Sequence, residues 1–145
     1  MASSLATSLK ANGDAAFKAG NYTDAITAYS KAIAVDGTNH LLYSNRSGAW
    51  LAIGDGNSAL QDAEWCIDIE PSFVKGYSRK GAALFALKQY DNASAAYRSG
   101  LDLAPADAAL QNGLRDAERA RTNRSSVDSV SACGHRTVAM FFVRL

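Results

Sequence analysis

Two cations lie four residues apart in the stretch 74–81, which reads Val-Lys-Gly-Tyr-Ser-Arg-Lys-Gly. On an α-helix this spacing places Lys75 and Arg79 on one face, with their Cβ atoms about 5–6 Å apart. Two neighbouring cations repel each other, so the pair does not stabilise the helix that carries it. The arrangement instead predicts a binding site for an anion that lies between the two side chains.

Three further polar residues precede this pair at related positions. Lys10 and Asp14 are also four residues apart, and Asn45 lies between the two stretches. If the helices that carry them stand side by side, three cations and one amide donor converge on a groove. Such a groove suits the carboxylates of an extended peptide. The C-terminus of a peptide is the natural ligand, because a terminal Asp or Glu offers two carboxylates.

The helices that must position these residues follow a repeat of 34 residues. The interval separates two sets of small residues: Gly13, Ser47 and Gly81, and Ala25, Ala59 and Ala93. A period of 34 with small residues at fixed points is typical of the tetratricopeptide repeat (TPR), a pair of antiparallel helices. We therefore predict an all-α fold, a right-handed TPR superhelix of three helix-turn-helix repeats plus a C-terminal capping helix. Phe17 and Tyr29 are expected to pack in its core.

The domain boundaries follow from the same repeat. A TPR domain is predicted over residues 5–121, with repeats at about 6–39, 40–73 and 74–107 and a capping helix at about 107–121. The predicted helices cover about 5–18, 23–35, 40–53, 57–69, 74–87, 91–103 and 107–121. From about residue 122 the pattern fails, and 122–145 is predicted to be a linker and a disordered or loosely docked tail. The apolar stretch 138–145 could be a strand or a docking segment, and could also fold back into the groove.

Composition and residue spacing exclude several classes of function. The net charge is +1, so no global field for nucleic acid is expected. No apolar run approaches the roughly 18–20 residues that cross a bilayer. Cys66 and Cys133 match no metal or redox spacing, and His40 and His135 suggest no catalytic set. We expect a cytoplasmic, monomeric domain that is not an enzyme and that needs no metal or cofactor.

Three short stretches carry a resemblance to a known family. They are Leu-Lys-Ala-Asn-Gly at 9–13, Leu-Tyr-Ser-Asn-Arg-Ser at 42–47 and Lys-Gly-Tyr-Ser-Arg-Lys at 75–80. Through them, residues 5–121 resemble the TPR co-chaperones with a dicarboxylate clamp, and most of all the N-terminal TPR domain of the Hop / stress-inducible co-chaperone family.

The resemblance implies a ligand and a role for each site residue. The ligand would be the C-terminal Glu-Glu-Val-Asp tail of heat-shock chaperones of the seventy- or ninety-kilodalton class, with the seventy-kilodalton class favoured. By the same resemblance, Lys10, Asn45 and Lys75 would hold the terminal main-chain and side-chain carboxylates. Arg79 would contact the residues just upstream.

One position departs from the family, which usually has Asn where this chain has Asp14. An amide can donate a hydrogen bond to a ligand carboxylate, whereas an ionised carboxylate only accepts. We therefore expect binding weaker than the family norm, or binding that improves at lower pH. Two other functions stay open: a TPR scaffold for another peptide motif, and an assembly module that self-associates through 138–145.

Overall fold

The computed structural model describes the backbone of residues 2–143 and the side chains of residues 3–127. Over this part of the chain the fold consists of seven α-helices without a strand, which confirms the predicted all-α class. The helices are α1 (Ala2–Lys18), α2 (Tyr22–Val35), α3 (His40–Ala52), α4 (Gly56–Ile69), α5 (Val74–Ala86), α6 (Tyr90–Leu103) and α7 (Ala108–Val143).

The helices pack as successive pairs. In each pair the first helix contacts the second: α1 with α2, α3 with α4, and α5 with α6. The first helices also contact one another, α1 with α3 and α3 with α5, and α5 in turn contacts α7. The first helices therefore form one continuous surface, and this surface carries the polar residues singled out above.

The turn inside each pair has the same geometry. Gly20 and Gly54 adopt φ values of 81° and 87°. This is the left-handed backbone conformation that glycine commonly adopts just after the end of an α-helix. The third turn places Lys88 in this region, with φ at 62°. The N–H of Gln89 donates to the carbonyl of Leu84 at 2.9 Å, as its counterparts do in the first two turns. The third turn is therefore built like the others, but with a residue that has a Cβ.

Small residues on the first helices allow tyrosines from the second helices to approach closely. A Cβ added to Gly13 would lie 2.5 Å from the ring of Tyr29, which is itself 1% exposed. A Cβ added to Gly81 would clash with the ring of Tyr97 in the same way. The recurring small residues of the sequence thus correspond to positions of close helix approach.

A buried ion pair holds the middle of the solenoid together. Arg46 on α3 donates from Nε and Nη2 to the two carboxylate oxygens of Asp62 on α4, both at 2.7 Å. Its Nη1 donates to the Oγ of Ser30 on α2 at 3.0 Å. Both oxygens of the buried carboxylate thus accept from the planar guanidinium in a bidentate arrangement. This is the geometry in which a buried ion pair is tolerated.

The last helix covers the end of the third pair and is longer than the sequence predicted. Leu110 and Ala117 are fully buried, as expected for a capping helix. However, α7 continues to Val143, so the predicted end near residue 121 is wrong. The hydroxyls of Thr122 and Ser125 donate to helix carbonyls four residues back, at 2.9 Å and 3.2 Å, so these polar residues do not break the helix.

The division of the chain into a TPR domain and a tail stays a prediction. The apolar stretch 138–145 lies outside the residues whose side chains are described, and so do Cys133 and His135. Cys66 is fully buried, and burial raises the pKa of its thiol to about 11. None of the helices in the described part of the chain has the length and apolar character that crossing a bilayer requires.

Candidate functional site

A pocket of about 200 Å³ opens on the surface formed by the first helices. It is lined by Asp14, Phe17, Lys18, Tyr29, Asn45, Lys75 and Arg79. Four of the five predicted site residues therefore meet here, although they come from α1, α3 and α5. Asn45 and Arg79 are 34 residues apart and occupy equivalent positions on α3 and α5. In the repeat frame Asp14 and Lys75 lie within one helical turn of that position, so all four residues share the face that lines the groove.

Asp14 is the centre of a hydrogen-bond network inside this pocket. Its Oδ2 accepts from the ammonium of Lys10 at 2.8 Å, one helical turn earlier on α1. Its Oδ1 accepts from the hydroxyl of Tyr29 at 2.6 Å and from the Nδ2 amide of Asn45 at 3.2 Å. The carboxylate thus connects α1 to α2 and α3, and it binds three donors that could otherwise bind a ligand.

The network sets the protonation states of its members. Burial alone would raise the pKa of Asp14, but the hydrogen bonds from Lys10 and Tyr29 and the nearby charges of Lys10 and Lys18 outweigh it, so the pKa is lowered. Burial, followed by the hydrogen bond to Asp14, raises the pKa of the Tyr29 phenol. At neutral pH Asp14 is therefore ionised and Tyr29 is a hydrogen-bond donor. Both outcomes expected from the sequence, weaker binding and binding that improves at lower pH, stay predictions.

Arg79, unlike Asp14, has no ion-pair partner among the described residues. It is partly buried against α3, where the absence of a side chain at Gly48 makes room for its guanidinium. Its Nε is buried without a hydrogen-bond partner, and within the described residues no carboxylate pairs with it. Burial lowers the pKa of Arg79 from its ordinary value, yet an arginine remains charged in proteins. A partly buried cation without an anion is costly, and such a group is expected where an anion binds.

The structure changes the expected set of cations. Lys10 does not line the pocket but pairs with Asp14 beside it. The third cation that lines the pocket is Lys18, which the sequence reasoning missed although it lies four residues after Asp14 on the same helix. Phe17 and Tyr29 were expected only in the core, and both also line the pocket.

The arrangement is suited to binding an anion and not to proton transfer. Lys18, Lys75 and Arg79 make no hydrogen bond or ion pair with another described residue, so three cations face the pocket beside one carboxylate that already accepts three hydrogen bonds. The pKa of Asp14 is lowered and that of Tyr29 is raised, so both pKa values move further from pH 7. A general acid or base works best when its pKa lies near the operating pH.

Comparisons of the sequence identify related proteins. Residues 13–48 match the model described as TPR repeat, and residues 74–107 match the model described as tetratricopeptide repeat. The heat shock protein sti1 homolog of Schizosaccharomyces pombe is 44% identical over 122 residues, which are 84% of this chain and 21% of that protein. The Hsp70-Hsp90 organizing protein of Triticum aestivum is 46% identical over 116 residues, 80% of this chain and 20% of that protein. The chain thus spans about a fifth of the length of these relatives.

Solved structures share the fold over most of this chain. The first TPR domain of human RPAP3 is 33% identical with a TM-score of 0.81, over 84% of this chain and 96% of that one. The first TPR of Spaghetti (RPAP3), solved with the HSP90 peptide SRMEEVD, is 34% identical with a TM-score of 0.79, over 82% and 94%. The second TPR domain of human RPAP3, in complex with the HSP70 peptide SGPTIEEVD, is 31% identical with a TM-score of 0.79, over 81% and 98%.

These matches confirm the predicted TPR superhelix and the resemblance to the Hop family. The similarity to the first TPR domain of human RPAP3 covers 84% of this chain. The chain belongs to the tetratricopeptide-repeat family.

Proposed function

We propose that this chain is a co-chaperone adaptor module that binds the acidic C-terminal tail of heat-shock chaperones in the pocket between α1, α3 and α5. The tail would end in Glu-Glu-Val-Asp and belong to the seventy- or ninety-kilodalton class, with the former favoured by the resemblance to the Hop family. The observation that carries the proposal is Arg79, a partly buried guanidinium without an anionic partner among the described residues.

Charge complementarity supports this ligand. The pocket presents Lys18, Lys75 and Arg79 without internal partners, and Asn45 adds an amide beside them. A tail with this ending carries two Glu side chains, one Asp side chain and the terminal carboxylate. An extended peptide can present these groups to several first helices at once, whereas a compact anion would meet only one part of the groove.

The related proteins support the same class of ligand. The two curated relatives have names that refer to heat-shock proteins or to organizing Hsp70 and Hsp90. Two structurally similar TPR domains are solved with peptides that end in EEVD, one from HSP90 and one from HSP70. Because both peptide classes occur among these neighbours, the preferred class is a question for measurement.

The proposed role is adaptor binding rather than catalysis, and the cytoplasmic location expected from the sequence is part of the proposal. Each charge-assisted hydrogen bond contributes on the order of 1.5–3 kcal/mol. Several such bonds, less the cost of ordering a flexible tail, correspond to about −8 kcal/mol or roughly micromolar affinity. The pocket is open to solvent, so salt should weaken binding.

Isothermal titration of the full chain with SGPTIEEVD and SRMEEVD tests the proposal. We expect saturable binding that weakens with salt and falls at least about tenfold in Lys75→Ala and in Arg79→Ala. Lys31→Ala, which removes an exposed lysine of α2 outside the pocket, is the matched control and should bind like the wild type.

Two outcomes of this experiment would contradict the proposal. Binding unaffected by Lys75→Ala and Arg79→Ala would place the peptide elsewhere and refute the proposed site. No binding of either peptide by a chain that is folded by circular dichroism would refute the chaperone-tail ligand and favour another peptide motif.

A further inference from the structure

Asp14 removes donors from the pocket that a ligand carboxylate would need. The resemblance to the Hop family assigns two of these donors, Lys10 and Asn45, to the terminal carboxylates of the peptide. In the structure both donate to Asp14 instead, at 2.8 Å and 3.2 Å, and Tyr29 adds a third hydrogen bond at 2.6 Å. A carboxylate accepts about four hydrogen bonds, so Asp14 is close to saturated by the chain itself.

Three cations that line the pocket remain open. Lys75 and Arg79 come from α5, and Lys18 from the end of α1. Within the described residues none of the three has an anionic partner, and the Nε of Arg79 is buried without any partner. The pocket therefore contains one carboxylate that is already paired with Lys10 and three cations that have no anionic partner in the described part of the chain.

We infer that Asp14 occupies one of the two carboxylate positions of the proposed clamp, so that the pocket holds a peptide tail through a single terminal carboxylate. Asp14 is then a specificity-determining residue, because its own carboxylate takes the place of the second ligand carboxylate. The inference rests on the proposed function and adds the chemical class of the tail that the pocket accepts.

A second ligand carboxylate would gain little in this pocket. To reach the remaining N–H of Asn45 it would approach Asp14, a like charge, at roughly 5 Å, where repulsion lowers affinity by about tenfold or more in a partly exposed site. To reach Lys10 it would have to displace Asp14 from a direct ion pair. Either cost offsets the hydrogen bond that the second carboxylate could make.

Four versions of the peptide SGPTIEEVD separate one terminal carboxylate from two. The last residue is Asp or Asn, and the C-terminus is a free acid or an amide. The pair Asp with free acid carries two terminal carboxylates, two versions carry one, and Asn with an amide carries none. Titration of the full-length wild type, Asp14→Asn and Asp14→Ala with all four gives the contribution of each carboxylate, and circular dichroism confirms that the variants are folded.

For the wild type, we expect at least one single-carboxylate peptide to bind within about threefold of the two-carboxylate peptide, and the version without terminal carboxylates to lose binding. For Asp14→Asn and Asp14→Ala, we expect each single-carboxylate peptide to bind at least about tenfold more weakly than the two-carboxylate peptide. Asp68→Asn removes the same charge from an exposed position on α4 and should reproduce the wild-type ratios.

The outcomes distinguish this inference from the proposed function. If both single-carboxylate peptides bind the wild type more than threefold more weakly, or if the ratios in both Asp14 variants equal those of the wild type, the inference is overturned while the chaperone-tail function stands. If the two-carboxylate peptide binds neither the wild type nor the Asp14 variants, the proposed function fails and the inference fails with it.

Discussion

Gly48 offers a way to disturb the pocket without weakening the fold. It lies inside α3, and the three atoms nearest to an added Cβ all belong to the guanidinium of Arg79: Cζ at 2.8 Å, Nη2 at 2.9 Å and Nη1 at 3.0 Å. These atoms are the far end of a flexible side chain on another helix. We therefore expect Gly48→Ala to displace the guanidinium rather than the backbone.

Stability and binding should move in opposite directions. Replacing glycine by alanine inside a helix stabilises it by up to about 0.8–1.0 kcal/mol. The guanidinium must move by about 0.6 Å to restore ordinary van der Waals contact. A charge-assisted hydrogen bond contributes about 1.5–3 kcal/mol, and losing half of one corresponds to about a fivefold loss of affinity.

Two measurements test this reasoning. Urea unfolding should show a free energy of unfolding about 0.5–1 kcal/mol higher for Gly48→Ala, and titration with an EEVD peptide should show a Kd about fivefold higher. In an Arg79→Ala background the same change should leave the Kd within about twofold, because the group it acts through is absent. A Gly48→Ala chain that binds like the wild type, or that is destabilised, would refute the proposed contact between Gly48 and Arg79.

Two further predictions concern the third turn and the carboxylate of the pocket. Lys88→Gly should raise the free energy of unfolding by about 0.5–1 kcal/mol. The left-handed conformation costs a residue with a Cβ about 1–2 kcal/mol, and the greater conformational entropy that glycine loses on folding cancels part of the gain. Urea unfolding measures it, with Gly54→Ala as the opposite change at an equivalent turn; no gain for Lys88→Gly would mean that this turn is not strained. Burial would raise the pKa of Asp14, but the hydrogen bonds from Lys10 and Tyr29 lower it overall, so the stability it contributes is present above its ordinary pKa and is lost as pH falls through the lower, folded value. Below about pH 4 the wild type should therefore lose stability more steeply than Asp14→Asn, and parallel pH profiles of urea unfolding would contradict the network.

The repeat made most of the fold predictable, because its signals are local. Asn39 and Asp55 accept hydrogen bonds from backbone N–H groups at the start of α3 and α4, which is the capping role that such residues favour. Gly20 and Gly54 end the preceding helices in the left-handed conformation that glycine adopts easily. The predicted helices therefore agree closely with α2 to α6. The boundaries at Gln89 and Phe73 have no side-chain cap, and the 34-residue repeat predicts them instead.

The end of the last helix was not predictable in the same way. No proline or glycine lies between 114 and 133 to mark a boundary, and a polar, serine-rich composition was taken as a linker. Serine and threonine hydroxyls can instead bond to helix carbonyls, as Thr122 and Ser125 do. The composition of a segment does not show which hydrogen bonds its side chains make, so it did not predict that α7 continues past residue 121.

At the site, sequence spacing predicted which residues come together but not which of them form hydrogen bonds with one another. The repeat brought Asp14, Asn45, Lys75 and Arg79 together because Asn45 and Arg79 occupy equivalent positions and the other two lie within one helical turn of that position in the repeat frame. It could not show that Asp14 accepts from Tyr29, since that contact joins α1 to α2 through side-chain directions that spacing does not determine. Which donors are already occupied, and which remain open, became visible only from the structure.

Two arginines illustrate why this distinction bears on function. Arg46 is satisfied within the chain, because it donates to both oxygens of Asp62 at 2.7 Å and to Ser30 at 3.0 Å. Arg79 is also partly buried, but its Nε has no hydrogen-bond partner and no described carboxylate forms an ion pair with it. Burying a charge without its counter-ion lowers stability, so folding alone does not account for Arg79. A ligand carboxylate would pair with Arg79 as the carboxylate of Asp62 pairs with Arg46. This contrast is the structural basis for assigning the pocket to an acidic peptide tail.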